Sequence, residues 1–231
     1  MIFSLEAARD NVRNRDGKRV FYLGNDDKLT WEARDYLRKE GIEVLPAEKA
    51  KPERYRLESG GYLEEKPEHM THLNGEVLVE KTHPRICFRG AVDTLETELL
   101  LGILQMPSLG KELQEVLNLA RNILRCEVLD SPLEEETLFG LDEKALRSHS
   151  HFPQNFYGQP HFMPSAQDGE DLLRLNRIRA MVRNTERALV AALPERTDLI
   201  RGMNRMSSGL YILMIRMKKH ETENHTTGKN I

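Results

Sequence analysis

Val92, Leu95, Leu99, Ile103 and Met106 recur at intervals of three and four, and Leu113, Val116, Ala120 and Ile123 repeat the spacing a little further on. On an α-helix such residues stack along one face, so each run predicts an amphipathic helix whose apolar stripe has to be buried. Met106-Pro107-Ser108 separates the two. Leu175, Ile178, Val182 and Leu189 mark a third long helix, and Met203, Met206, Leu210, Leu213 and Met217 a fourth. A cap-like Ser131 before Pro132 and three glutamates predicts a shorter one. Stripes of this kind are buried most simply against one another. The chain from about residue 87 onward is therefore predicted to be a four- or five-helix bundle.

The part before it reads differently. RVFYLG, LTWEARDYLRKEG and IEVLP predict strand, helix and strand between Arg19 and Pro46, a small α/β unit. From Ala47 to His69 Lys, Pro, Glu and Gly dominate, which is hinge chemistry and places a boundary there. THLNGEVLVE, Thr71 to Glu80, predicts a tight Asn-Gly turn feeding a short strand. The expected division is an α/β segment over 1–60, a helical domain over 69–219 and a disordered tail over 220–231. Within the helical domain, HSHFPQNFYGQPHFMPSAQDG is too broken by proline for regular helix and too apolar for a linker, so it is expected to pack on something.

Charge and composition exclude several functions. A net charge of −3 supplies no global basic field for nucleic acid or an anionic membrane, so an anion site has to be built locally. The longest apolar stretches, such as LYILMI, are too short to cross a bilayer, and the opening residues lack a secretory core, which predicts a cytosolic location. Cys87 and Cys126 form no C-x-x-C pair and are expected as reduced, buried thiols.

One helical stretch carries a charged row. Arg179, Arg183 and Glu186 stand at i, i+4 and i+7 beside the Ile178 and Val182 stripe. Guanidinium groups grip phosphate in bidentate fashion, and a carboxylate ending the row can orient an arginine, accept from a ribose hydroxyl or hold a metal's water shell. A solvated ion-pair row has the same spacing. Asn204, Ser207, Ser208 and Tyr211 lie beside the last stripe, suited either to reading a nucleotide or to bonding helix to helix. Asp93 falls near the start of its helix, where it can clamp a neighbouring arginine. Thr71, Lys81, Arg85 and Arg89, with the Asn74-Gly75 turn, can form a phosphate nest, since two arginines leave a triphosphate undercompensated. His149, His151 and His161 sit in an irregular stretch without the i, i+4 spacing of a metal pair, so no metal site is expected from them. Phe152, Phe156, Tyr157 and Phe162 are either core anchors or an apolar wall for a flat ligand.

Taken in order, THLNGEVLVEK, THPRICFRGAVDTLE, FGLDEKALRSHSH, QPHFMPSAQDGEDLL, RIRAMVRNTERAL and MNRMSSGLYILM resemble the cobalamin adenosyltransferases of ethanolamine utilisation, over about residues 69 to 219. Those are similar to the propanediol-utilisation type, a five-helix up-and-down bundle that forms a homotrimer with sites between subunits. The resemblance implies transfer of the 5′-deoxyadenosyl group of ATP to the Co(I) of a corrinoid, with ATP, Mg²⁺ and cobalamin as ligands. It further implies a flavoprotein reductase as electron donor, ethanolamine ammonia-lyase as recipient and a bacterial microcompartment as a possible location. It matches Arg179, Arg183 and Glu186 to the R-x-x-x-R-x-x-E nucleotide motif, Asn204 to the Asn of N-R-[LM]-S, Thr71, Gly75 and Lys81 to a phosphate-binding segment, and Asp93 to an Asp paired with Arg179. His161 or Phe162 takes the place of a corrinoid-facing aromatic, with Met163 beside it. Two departures stand out. Ser208 stands where the propanediol type usually has Asp, and ESGGYLEEKPEH lacks the cysteines of the metal-binding stretch that some ethanolamine-type members carry, so no zinc or iron site is carried over. The alternative functions are a non-catalytic adenosylcobalamin carrier and a microcompartment scaffold.

Overall fold

The computed structural model describes residues 1–15, 17–47, 55–135 and 137–227, which fall into two compact units, Met1–His83 and Pro84 onward. The second unit therefore begins where the helical periodicity does. Part of the hinge expected between 47 and 69 lies outside the described residues. The rest holds two short strands joined by a turn and followed by irregular backbone, and the Thr71 to Glu80 segment belongs with the first unit rather than with the bundle.

In the first unit the predicted strand, helix and strand are β3 (Lys18–Leu23), α2 (Trp31–Lys39) and β5 (Glu43–Pro46), with β3 and β5 parallel. Thr30 caps α2 by accepting from the Ala33 N–H at 3.3 Å. Around them lie β1 (Ile2–Phe3), α1 (Leu5–Asp10), β2 (Val12–Arg15), β4 (Lys28–Leu29), β6 (Tyr55–Leu57) and β7 (Tyr62–Leu63). The Asn-Gly turn closes a hairpin of β8 (Met70–Asn74) and β9 (Val77–Glu80), in which Thr71 faces Val79 across the ladder. Gly75 takes φ +48° at the first loop position, a conformation a two-residue hairpin turn demands and side chains resist. Among the described residues the main sheet runs β5-β3-β2-β7-β6-β9-β8. Ala8, Phe21, Ala33 and Leu37 form the small core beneath its β3 end.

Among the described residues the second unit contains four long helices: α3 (Pro84–Gln105), α4 (Gly110–Leu129), α7 (Gly169–Ala192) and α8 (Thr197–Thr227). A 3₁₀ turn over Pro107–Leu109 separates the first two, as the proline there predicts. The apolar stripes meet as expected: Val92, Leu95, Leu99, Leu113, Ile123, Ile178, Val182, Met206 and Leu210 are buried in one core. Fully burying one such side chain contributes about 1.5–3 kcal/mol, so the shared core holds the unit together. α7 packs on both α3 and α8, and this sets the α7 row beside the α8 polar face.

Four expectations are corrected. Among the described residues no helix starts at Ser131-Pro132; the next is α5 (Glu143–His151), capped by Asp142, which accepts from the Ala145 N–H at 2.8 Å. A tight Leu138–Leu141 bridge, with Phe139 at φ 59°, precedes it and sits where Gly209 leaves room, since a Cβ there would lie 2.5 Å from Leu138. The proline-broken stretch is partly helical, because α5 runs through His149 and His151 and α6 (Pro153–Tyr157) follows directly, with Pro153 at a first-turn position that tolerates it. Helix α8 continues to Thr227; the remainder of the expected disordered tail lies outside the described residues. Of the thiols, Cys126 is buried but Cys87 is exposed.

Two carboxylates tie loops to α8. Asp198 accepts from the Leu133 N–H at 3.0 Å and from Arg196 at 2.9 Å, and the guanidinium holds its carboxyl well below the usual range. Lys218 and the Ser165 N–H lower that of Asp168 in the same direction. A carboxyl whose folded pKa lies below its unfolded value contributes stability above the unfolded pKa and loses it as pH falls. The melting temperature is therefore expected to drop steeply between about pH 4 and pH 2, and Asp198→Asn to flatten that slope. An unchanged slope in the variant would contradict the assignment.

Candidate nucleotide and corrinoid site

The α7 row is not a solvated ion-pair ladder. Arg179 lies beside the Ile178 and Val182 stripe, half-buried, and its Nε is buried without a hydrogen-bond partner. Burial, then the neighbouring charge of Arg183, pushes its guanidinium below the ordinary arginine value. Its guanidinium carbon stands 5.0 Å above the centre of the Tyr211 ring. Arg183, one turn on, is exposed and makes no ion pair among the described residues. Two cations on one edge, one of them desolvated and short of an acceptor, form a site that an anion relieves.

Glu186 ends the row. Burial raises its carboxyl above the usual range, against the opposing pull of Arg183, and Asn204 on α8 donates to its Oε1 at 3.0 Å. The predicted partners Arg179, Arg183, Glu186 and Asn204 thus share the α7/α8 edge.

Arg179, Arg183 and Asn204 line a cavity of ≈ 480 Å³ together with His161, Phe162 and Tyr211. The loop after α6 brings Phe162 within 6.3 Å of the Tyr211 ring, the two planes inclined by 22°. His161 is committed elsewhere: Nδ1 meets the Tyr211 hydroxyl at 2.8 Å and Nε2 the His151 carbonyl at 3.0 Å. His149 Nδ1 meets the Tyr157 hydroxyl at 2.8 Å. Met163 stands 89% exposed and does not line the cavity, because the loop turns it outward between two half-buried neighbours. Ser150, Pro164 and Met214 line it without having been predicted. Tyr211 had a readable signal, since it lies seven residues beyond Asn204 and so on the same helical face.

Several expected contacts are absent. Asp93 is exposed on α3 and does not pair with Arg179 within the chain; its carbonyl accepts from Thr97 at 3.0 Å. Arg85 and Arg89 are held by the buried Glu127 of α4, at 2.5 and 2.7 Å, which takes them out of a phosphate nest. Thr71, Gly75 and Lys81 belong to the first unit, where Thr71 is half-buried in β8 and Lys81 is exposed just past β9. A larger cavity, ≈ 730 Å³, opens in that unit, lined by Arg15, Glu58, Glu64 and His83 among others. Its carboxylates outnumber its cations, Glu58, Glu64, Glu65 and Glu80 against Arg15 and Lys66, so it offers no surplus of positive charge. No helix among the described residues is long and apolar enough to cross a membrane.

The chain has known relatives. It is 32% identical over 157 residues to the corrinoid adenosyltransferase EutT of Salmonella typhimurium and, equally, to that of Escherichia coli; the match covers 65% of this chain and 59% of theirs. The chain thus spans well under two thirds of the length of the curated relatives it matches. Two variants of a PduO-type ATP:corrinoid adenosyltransferase from Lactobacillus reuteri, each solved with cobalamin and ATP, superpose with TM-scores of 0.52 and 0.51. They are 18% and 19% identical, with 67% of this chain covered and 91% and 88% of theirs, and share its fold. The model of the cobalamin adenosyltransferase family matches residues 61–217, a stretch that holds the α7 row, the loop after α6 and the polar face of α8. With more than half its length inside that match, the chain belongs to the cobalamin adenosyltransferase family.

Proposed function

We propose that the chain transfers the 5′-deoxyadenosyl group of ATP to the cobalt of a reduced corrinoid. The observation that carries this reading is the buried guanidinium nitrogen of Arg179, without a hydrogen-bond partner among the described residues, in a cavity also lined by Arg183 and Phe162. A phosphate is the natural acceptor for such a pair. A flat, largely apolar macrocycle suits the ring face of Phe162.

Arg179 and Arg183 bind the triphosphate, and Glu186, held by Asn204, accepts from the ribose. Co(I) attacks C5′; the cobalt–carbon bond forms as the C5′–oxygen bond breaks, and triphosphate leaves with the bonding pair. Charge grows on that leaving oxygen, so the two guanidinium groups stabilise the transition state more than the ground state. Phe162, rather than His161, faces cobalt, because both imidazole nitrogens already have partners. A ring without a donor atom excludes water below the metal without ligating it, which favours loss of the lower ligand.

Magnesium fits as a companion of the nucleotide. Among the described residues no three ligating side chains gather, and this ion is commonly held by one or two carboxylates plus substrate phosphates. Glu186 is the carboxylate in reach of the row; when bound, the ion neutralises triphosphate charge.

The finer assembly follows the resemblance: α5 counts as the fifth helix of an up-and-down bundle, three copies form a homotrimer, and Asp93 of one copy meets Arg179 of another. A flavoprotein supplies the electron, and ethanolamine ammonia-lyase, inside a microcompartment, receives the product. The protein is mixed with ATP, Mg²⁺ and chemically reduced cobalamin and the visible spectrum followed. Catalytic appearance of the adenosylcobalamin spectrum is expected; binding without turnover points instead to a carrier, and no binding to a scaffold.

A further inference from the structure

Tyr211 touches both sides of the cavity. Its ring underlies Arg179, with the guanidinium carbon 5.0 Å from the centroid. The same ring runs parallel to His161, inclined by 9° with centroids 5.7 Å apart, and lies near Phe162. Its hydroxyl joins His161 Nδ1 at 2.8 Å, while His161 Nε2 lies 3.0 Å from the carbonyl of His151 at the end of α5. A carbonyl only accepts, so Nε2 carries a proton, and Nδ1 shares the second bond with the tyrosine hydroxyl. One side chain on α8 therefore clips the 161–162 loop to α5 and α8 and also supports the nucleotide-gripping arginine.

We propose that Tyr211 is a positioning residue that couples the two substrate sites, so that nucleotide on Arg179 and corrinoid against Phe162 each tighten the binding of the other. This rests on the function proposed above. The two roles use different parts of the side chain. The ring face supports Arg179; the hydroxyl holds His161 and, through it, the loop. Movement of the guanidinium toward a phosphate loads or unloads the ring on which it rests, and the ring carries the hydroxyl that fixes the loop. Tyrosine supplies both, phenylalanine only the first, and leucine neither.

The test measures ATP binding with and without cob(II)alamin, and cob(II)alamin binding with and without ATP, by calorimetric titration of the full chain. In the wild type each ligand is expected to raise the other's affinity about fivefold or more, by the same factor in both directions. Tyr211→Phe is expected to keep ATP affinity within about twofold, because the platform survives, yet bring the coupling factor close to one. Tyr211→Leu should weaken ATP binding alone by roughly three- to tenfold as well. His161→Phe should erase coupling too, and the double variant with Tyr211→Phe should lose nothing more. Melting temperatures report any loss of folding separately. A Tyr211→Phe protein with its coupling intact overturns the proposal, as does equal weakening of both ligands with the factor unchanged. A wild type that binds both ligands independently sinks the coupling alone, whereas one that binds neither sinks the functional reading itself.

Discussion

Arg183→Ala is expected to slow adenosylation by about 10²–10³-fold, the usual cost of removing one pre-aligned donor from a developing negative charge. Its folding cost should be small. Arg183 is exposed and makes no ion pair among the described residues, and alanine is the stronger helix former, so stability should move by about 0.5 kcal/mol at most. Arg183→Lys keeps the charge but loses the planar fork, and should fall between the two. Initial rates from the visible spectrum, beside melting temperatures, check this. A variant with wild-type rates, or one whose loss tracks a fall in melting temperature, contradicts the role.

The largest structural effect is expected from Glu127→Ala. Glu127 is 0% exposed at the end of α4, where its carboxylate takes Arg85 and Arg89 from the first two turns of α3, and its carbonyl accepts from Arg85 at 2.8 Å. Removing the carboxylate takes an ion-pair acceptor from two guanidinium groups that are less than a fifth exposed. Breaking a buried pair in this way costs about 3–5 kcal/mol. Both arginines keep other partners, which places the loss near the low end, about 3 kcal/mol and roughly 6–12 °C in melting temperature. Urea unfolding should register it; a loss below about 1 kcal/mol would mean the cluster contributes little.

How much of this was legible depends on how far apart in the chain the partners lie. Helices α3, α4, α7 and α8 were readable because their stripes persist over several turns. The two-residue strands β1, β4 and β7 carry no period to read. Helix α5 was misplaced because Ser131-Pro132 imitates a helix start, whereas Asp142 supplies the cap that forms. The row of Arg179, Arg183 and Glu186 was visible as spacing, but spacing does not distinguish a solvated ladder from a desolvated cation; burial against Tyr211 does. Glu127 meets Arg85 across 42 residues and His161 meets Tyr211 across 50, distances at which a single sequence holds no trace of pairing.

In the proposed function one α7/α8 edge takes the nucleotide while the loop after α6 takes the corrinoid. Crystals grown with ATP and cob(II)alamin test it most directly. Phosphate oxygens within hydrogen-bond distance of Arg179 and Arg183, with the corrin ring against Phe162, are the predicted result. Nucleotide in the Arg15-lined cavity of the first unit, or a corrin ring away from Phe162, would contradict it.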